Sequence, residues 1–130
     1  MRIFGIGTDI VNINRMKKTL KKNGKRFKNK VFSKTEIDYC EKKRDPCPFY
    51  AKRFAAKEAF SKALGTGIRK GINLKNIIIF NDVYGKPKIK LKGSTYNYFI
   101  KKIKSKKYNV HLSLSDDEPW AQATVIISYN

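Results

Sequence analysis

The segment that most constrains the fold lies between a proline-rich break, Asp45-Pro-Cys-Pro48, and a glycine, Gly65. Proline interrupts a helix, and glycine readily takes the left-handed conformation that ends one. The residues between them predict one long helix over about 49–64. One stripe of this helix, about 100° wide, holds three apolar and two charged residues: Ala51, Phe54, Ala55, Glu58 and Lys62. Because that stripe is expected to face the core, its charges indicate either a helical ion pair or a functional site.

The remaining hydrophobic patterns mix strands and helices without a strict βαβ alternation. Five segments have the patterns typical of strands: 2–7, 76–81, 87–91, 109–114 and 121–128. Three others have helical patterns: 12–22, a helix that begins at the capping box Ser33-Lys-Thr-Glu36, and 94–106. In the last helix, four residues are expected to point inward: Tyr96, Phe99, Ile100 and Ile103. The second and third strands should form a hairpin around Gly85, and the whole pattern predicts an α+β fold.

The charge balance limits the classes of partner. The chain has 130 residues, so we expect a single domain over 1–130. Its 30 Lys and Arg against 10 Asp and Glu give a formal net charge of +20, which favours anionic partners. Only six of the 30 are Arg, the residue that specific DNA readers use for guanine. We therefore expect no specific nucleic-acid partner, although salt-sensitive nonspecific binding stays open and AT-biased coding would explain many of the lysines.

The cysteines and the apolar start bear on the cellular setting. Cys40 and Cys47 lie too far apart for a C-x-x-C motif, and the single His of the chain leaves no zinc pattern. Two such thiols without a signal peptide suggest a reducing compartment. The apolar stretch 3–11 is interrupted by Asp9 and is too short to span a membrane. We expect a cytoplasmic protein with no membrane segment.

Asp9 is the second candidate functional residue. It ends the first predicted strand, after two glycines that allow a close approach of the backbone. Asp9 could instead cap the first helix, and Glu58 could pair with Lys62 at i,i+4 spacing. However, Asp9 and Glu58 are expected to be the only acids that lie against apolar runs. Two carboxylates plus waters suit Mg²⁺, which also binds substrate phosphates, so the pattern favours a magnesium site with Lys62 beside it to hold a phosphate.

Two other kinds of site receive little support. The segment Leu64-Gly-Thr-Gly-Ile68 matches neither the P-loop nor the dinucleotide-binding pattern. His111, Ser113 and Ser115 share one strand face, but no G-x-S-x-G elbow is present to make a hydrolase. Aromatic residues interleaved with lysines near 96–108 could stack on nucleic acid, yet their helical spacing favours the core.

Two motifs resemble the signatures of a known family. Gly5-Ile-Gly-Thr-Asp-Ile-Val11 is the first, and Arg53-Phe-Ala-Ala-Lys-Glu-Ala59, continuing through Ser61-Lys-Ala63 to Gly65-Thr-Gly67, is the second. They are similar to those of holo-(acyl-carrier-protein) synthases, the small branch of the 4′-phosphopantetheinyl transferases. Later motifs follow in the same order: Asn81 with Gly85-Lys-Pro87, and His111-Leu-Ser-Leu-Ser115 before 121–125. The resemblance covers nearly the whole chain.

The resemblance implies a fold, a reaction and a set of site residues. The fold is the 4′-phosphopantetheinyl transferase fold, an antiparallel sheet packed against a long central helix. The reaction transfers 4′-phosphopantetheine from coenzyme A to a serine of apo acyl carrier protein, in fatty acid biosynthesis. Asp9 and Glu58 match the Mg²⁺ ligands, and Glu58 and Lys62 the catalytic residues. Positions that match coenzyme contacts are Arg53, Lys62, Gly65, Gly67 and Pro87.

The resemblance also bears on partners. Arg15 matches an arginine that meets acidic residues of the carrier protein, and Lys18 and Lys22 lie on the same predicted helical face. The family usually forms homotrimers with active sites between subunits. Many relatives carry a second histidine where this chain has Asp116, so that histidine's role does not transfer. A degenerate family member that serves only as a structural subunit is the remaining alternative, and the intact Asp9, Glu58 and Lys62 disfavour it.

Overall fold

The computed structural model describes residues 1–67 and 71–130, so Ile68 of the glycine-rich segment lies outside the described residues. The strands are β1 (Arg2–Asn12), β2 (Ile77–Asn81), β3 (Pro87–Leu91), β4 (Tyr108–Asp117) and β5 (Trp120–Tyr129). The helices are α1 (Ile13–Val31), α2 (Lys34–Glu41), α3 (Cys47–Leu64) and α4 (Gly93–Ile103), with a short 3-10 turn at Leu74–Asn76 before β2. None of the described helices is both long and apolar enough to cross a membrane.

Two antiparallel sheets carry the strands. The larger has the order β1-β5-β4, with Asp9 opposite Ala123 and Leu112 opposite Val125. The smaller is the predicted hairpin, in which β2 pairs with β3 from Ile77–Leu91 at one end to Asn81–Pro87 at the other. Helix α3 lies across the inner face of the larger sheet, where every second residue of β5 is buried. The predicted antiparallel sheet on a long central helix is therefore present.

Helix α3 approaches β1 unusually closely, because small residues line both sides of the contact. Ala59 and Ala63 of α3 are buried, and Gly5 and Gly7 of β1 face them. A Cβ on Gly7 would lie 2.6 Å from the backbone nitrogen of Ala63 and would overlap the carbonyl oxygen of Ala59. The helix ends at Gly65, whose φ of 88° is the left-handed cap that the sequence predicted. The two glycines thus bring the end of α3 against the strand that carries Asp9.

Several predicted boundaries were wrong. β1 continues through Asp9 to Asn12, because it pairs with β5 along its whole length. α1 does not end before Gly24 but reaches Val31 through one non-helical residue, Asn23 (φ −137°, ψ 39°). α4 ends at Ile103, where Lys104 takes a left-handed conformation that a helix cannot continue.

The inward faces of the helices were predicted in part. The capping box at Ser33 and Glu36 is confirmed. In α4, Phe99 and Ile103 are buried as expected, but Tyr96 is 38% exposed. The stripe of α3 also faces the core only at its start, where Ala51 and Ala55 are buried. Farther along, Glu58 is half-buried and Lys62 is exposed, so the charged part of the stripe does not face the core.

Candidate active site

Asp9 and Lys62 join β1 to the last turn of α3. The ammonium of Lys62 lies 2.9 Å from Oδ1 of Asp9 and donates to the carbonyl oxygen of Thr8 at 3.1 Å. The i,i+4 alternative, an ion pair between Lys62 and Glu58, does not form among the described residues. Asp9 does not cap α1 either, because Asn12 is the N-cap and its side chain accepts from the amide of Arg15. Both structural alternatives for these charges were therefore wrong.

Glu58 lines the same cavity as Asp9. This cavity, of about 300 Å³, lies between β1, α1 and α3, and its lining includes Asp9, Arg15, Phe54 and Glu58. Burial raises the pKa of the Glu58 carboxyl, and the negative charge of Asp9 raises it further, whereas Lys62 lowers it. The structure thus brings together two carboxylates whose charges repel each other, with one ammonium beside them.

A divalent cation fits this pair chemically. Mg²⁺ prefers a few carboxylate oxygens and completes its shell with water and substrate phosphates. Asp9 and Glu58 supply two carboxylates to one cavity, and a cation there would offset both the burial of Glu58 and its repulsion from Asp9, which together raise the pKa of Glu58. No cluster of three or more His, Cys, Asp or Glu with metal-binding geometry occurs in the part of the chain that the structure describes. Water and substrate oxygens would complete the shell of such a cation.

The other predicted coenzyme contacts lie apart from this cavity. Arg53 is buried, stacks on the ring of Tyr39 at 4.0 Å and donates from Nη2 to Oδ1 of Asn81 at 2.9 Å. Arg53 therefore links α3 to the end of the β2–β3 hairpin. Pro87 begins β3 and lines a smaller cavity of about 210 Å³ together with His111. The predicted coenzyme residues thus lie on α3, directly after it, and at the start of β3.

Two glycines after α3 have the conformation expected of a loop that approaches a ligand. Gly65 and Gly67 have φ values of 88° and 62°, which disfavour any side chain, and a Cβ on either would meet no atom within 4 Å. The amides of Gly65 and Gly67 donate to the carbonyl oxygens of Lys62 and Ser61, so the lack of side chains opens space beside the backbone without freeing these donors. They stand directly after Lys62, at the end of the helix that carries Glu58.

The predicted docking residues form one exposed face of α1. Arg15, Lys18 and Lys22 are all exposed and precede the irregular residue Asn23. Arg15 also lines the cavity of Asp9 and Glu58. The basic face of the helix therefore begins at the edge of the candidate site.

Sequence reasoning missed a buried ion pair. Glu36 and Lys57 are 1% and 0% exposed, and Oε1 of Glu36 lies 2.7 Å from Nζ of Lys57. Asp9 and Glu58 are thus not the only acids against apolar surroundings. The capping box explained Glu36 locally, so its pairing with Lys57 was not expected. A signal for the lysine was present, because Phe60 and Leu64 at i+3 and i+7 place Lys57 on an apolar stripe. Burial lowers the pKa of Lys57 to about 8, against the raising effect of Glu36.

Comparison with known proteins identifies the family. The sequence matches the 4′-phosphopantetheinyl transferase superfamily over residues 5–124. The chain belongs to this family. It is 48% identical over 126 residues to the holo-(acyl-carrier-protein) synthase of Cereibacter sphaeroides, which covers 96% of this chain and 92% of that protein.

Solved structures of transferases from this family share the fold. The holo-(acyl-carrier-protein) synthase from Neisseria meningitidis matches with a TM-score of 0.87 at 37% identity, over 97% of this chain and 98% of that one. The holo-(acyl-carrier-protein) synthase from Bacillus anthracis, in complex with CoA (3′,5′-ADP), matches over 100% of both chains with a TM-score of 0.82 at 32% identity. The predicted family and the predicted α+β transferase fold are confirmed.

Proposed function

We propose that the chain carries out its family's transfer at Asp9 and Glu58, whose carboxylates would hold a magnesium ion. The transfer moves the 4′-phosphopantetheine group of coenzyme A to a serine of apo acyl carrier protein, giving the holo carrier and adenosine 3′,5′-bisphosphate. This reaction agrees with the names of the relatives and with the coenzyme bound to one of them. The observation that carries the magnesium proposal is the shared cavity of the two carboxylates.

In this mechanism the protein mainly positions the substrates and neutralises charge. Magnesium, when bound by Asp9 and Glu58, would neutralise charge on the pyrophosphate of coenzyme A. Lys62, whose side chain is 53% exposed, is free to turn from Asp9 toward a phosphate oxygen. The serine oxygen attacks the β-phosphorus, the bond from that phosphorus to the bridging oxygen breaks, and adenosine 3′,5′-bisphosphate leaves. The serine proton has two candidate acceptors, a water and Glu58, whose pKa is raised by burial and by the charge of Asp9.

Coenzyme A would extend from the carboxylates along α3 to the hairpin. Gly65, Gly67 and the ring of Pro87 would lie on this path, and Arg53, buried on α3 and hydrogen-bonded to Asn81 of the hairpin, would supply positive charge beside it. Coenzyme A carries several negative charges, so a basic path suits it. The proposal assigns the nucleotide end to the hairpin and the pyrophosphate to the end of α3.

The carrier protein would dock on the exposed face of α1. Arg15, Lys18 and Lys22 offer three positive charges there, and Arg15 reaches the cavity of Asp9 and Glu58. An acidic helix on this face would place the carrier serine beside the carboxylates. Charges at the rim of such an interface chiefly set the rate of encounter and its dependence on salt.

We further propose the homotrimer that the family resemblance implies, with active sites between subunits. The outer face of the larger sheet supports it, because Ile6, Ile10 and Trp120 are 65%, 61% and 46% exposed there. Contiguous exposed apolar residues mark association surfaces. Ile10 projects to the face opposite Asp9, but β1 is an edge strand of its sheet, so a neighbour that packs on this face and around that edge would reach the site. Sedimentation equilibrium would give three times the mass of one chain. The cytoplasmic location and the place in fatty acid biosynthesis remain predictions.

Mass spectrometry of an apo acyl carrier protein tests the reaction and the metal together. The carrier is incubated with this protein, coenzyme A and Mg²⁺, with and without EDTA. We expect the carrier to gain one phosphopantetheine, and EDTA to prevent the gain. Transfer that persists in EDTA would refute the magnesium site but keep the transferase. No transfer to several carriers by folded protein would refute the activity itself.

A further inference from the structure

The β2–β3 hairpin is held against the helices by charged side chains along one edge of β2. Within the part of the chain that the structure describes, β2 pairs with β3 along one edge, and its second edge has no strand partner. There, the carbonyl oxygen of Ile77 accepts from Nζ of Lys57 at 2.7 Å, and the amide of Ile79 donates to Oε2 of Glu36 at 3.0 Å. An ion pair thus occupies the place that a third strand would take.

The same ion pair also holds the chain that leads into β2. Lys57 donates to Glu36, to Ile77 and, at 2.8 Å, to the carbonyl oxygen of Leu74 in the 3-10 turn, so all three ammonium hydrogens have partners. Glu36 in addition accepts from the amide of Ser33 at 2.9 Å. Four separate segments therefore meet at two side chains that water does not reach.

Stability alone does not explain a buried pair of this kind. Removing two charges from water is costly, and an apolar pair of similar volume is often at least as stable. The charged pair instead contributes positioning, because its hydrogen bonds to backbone atoms hold those atoms in place. A two-stranded hairpin is only marginally stable by itself, so its position depends on such contacts.

We infer that Lys57 and Glu36 are positioning residues for coenzyme A. They hold the hairpin with Pro87, and the 3-10 turn at Leu74–Asn76 that leads into it, at a fixed distance from Glu58, the residue next to Lys57. This inference rests on the proposed function, which assigns the nucleotide end of the coenzyme to the hairpin. Neither side chain touches the coenzyme, because both are buried. Loss of the pair should therefore loosen the coenzyme contacts and leave the carrier face of α1 unchanged.

The double variant Glu36→Gln/Lys57→Met separates positioning from stability. Lys57→Met alone leaves a buried carboxylate unpaired and should melt well below the wild type. The double variant carries no charge at either of these two positions, so we expect it to recover much of the melting temperature. Its methionine cannot donate to Leu74 or Ile77, so the KM for coenzyme A should stay at least tenfold above the wild-type value. Both kcat and the KM for the carrier should remain within threefold.

Two further variants complete the test. Lys102→Met, the same change at an exposed lysine of α4, should leave both KM values unchanged. Glu36→Gln alone is the conservative substitute should the double variant fail to fold, and it should weaken coenzyme A binding at least threefold by calorimetry. A folded variant with a wild-type KM for coenzyme A overturns the inference and leaves the proposed function standing. A wild-type protein that transfers nothing refutes the proposed function, and the inference falls with it.

Discussion

Replacing Gly7 by alanine tests whether the contact between β1 and α3 sets the geometry of the site. A Cβ at this position would lie 2.6 Å from the backbone nitrogen of Ala63, besides overlapping the carbonyl oxygen of Ala59. Both are backbone atoms, so no rotamer change relieves the overlap. Carbon atoms prefer separations of about 3.5–4.0 Å, so α3 would have to move from β1 by about 1 Å.

That displacement has two separate costs. Overpacking of a core by one methyl group costs about 1–3 kcal/mol, which lowers Tm by roughly 3–10 °C at this chain length. The same shift separates Asp9 on β1 from Glu58 and Lys62 on α3. A misplacement of about 1 Å reduces catalysis on the order of 100-fold. We expect Gly7→Ala to stay folded at 25 °C while losing most of its transfer activity.

The assay compares Gly7→Ala with Gly24→Ala. A Cβ on Gly24 meets nothing within 4 Å, and alanine in a helix gains about 0.5–1 kcal/mol over glycine. Gly24→Ala should therefore keep full activity and melt no lower than the wild type. Thermal melting and initial rates of carrier modification are measured for both variants. If Gly7→Ala melts and reacts like the wild type, the close approach of β1 and α3 does not set the site geometry.

Three further predictions concern the site and the thiols. Glu58→Gln should keep the fold and lower the rate of transfer more than about 100-fold, since it removes a proposed metal ligand. Full activity at unchanged Mg²⁺ would contradict the proposed magnesium site. Arg15→Glu should raise the KM for the carrier at least tenfold and leave the KM for coenzyme A unchanged. As a control, Lys25→Glu, beyond Asn23 on the same helix, should change neither KM. Equal effects of Arg15→Glu on both KM values would argue against docking. Burial raises the pKa of the Cys40 and Cys47 thiols to about 11, so at pH 8 iodoacetamide should modify both only in denaturant, as mass spectrometry would show.

Short-range signals predicted the elements well. Pro46 before α3, Pro48 in its first turn and Gly65 after it bracket a helix that differs from the prediction by two residues at its start. The hairpin of β2 and β3 followed from apolar runs on either side of Gly85, with β2 only one residue shorter than expected. The helix and the hairpin depend on neighbours in sequence, which a single chain displays. The meeting of Asp9 with Glu58 was instead expected from the preference of Mg²⁺ for two carboxylates and from the family resemblance.

Features that depend on distant partners were not predictable from local pattern. β1 extends past Asp9 because β5 pairs with it to the end, and no residue near Asp9 signals this. The pairing of Glu36 with Lys57 needs α2 and α3 to lie together, whereas locally each residue has an ordinary explanation. Gly24 looked like the end of α1, yet the helix resumes because Phe27 and Val31 pack into the core.

The order of strands in the larger sheet has a consequence for biosynthesis. The hydroxyl of Thr8 donates to the carbonyl oxygen of Ala123, 115 residues later in the chain. A ribosome adds about 5–20 residues per second, so β1 waits on the order of ten seconds for the strand that completes it. Throughout that wait, Ile6 and Ile10 belong to an unpaired apolar strand, the kind of segment that aggregates. A net charge of +20 makes nascent chains repel one another, so the abundant lysines protect the strand that carries Asp9 until β5 is made.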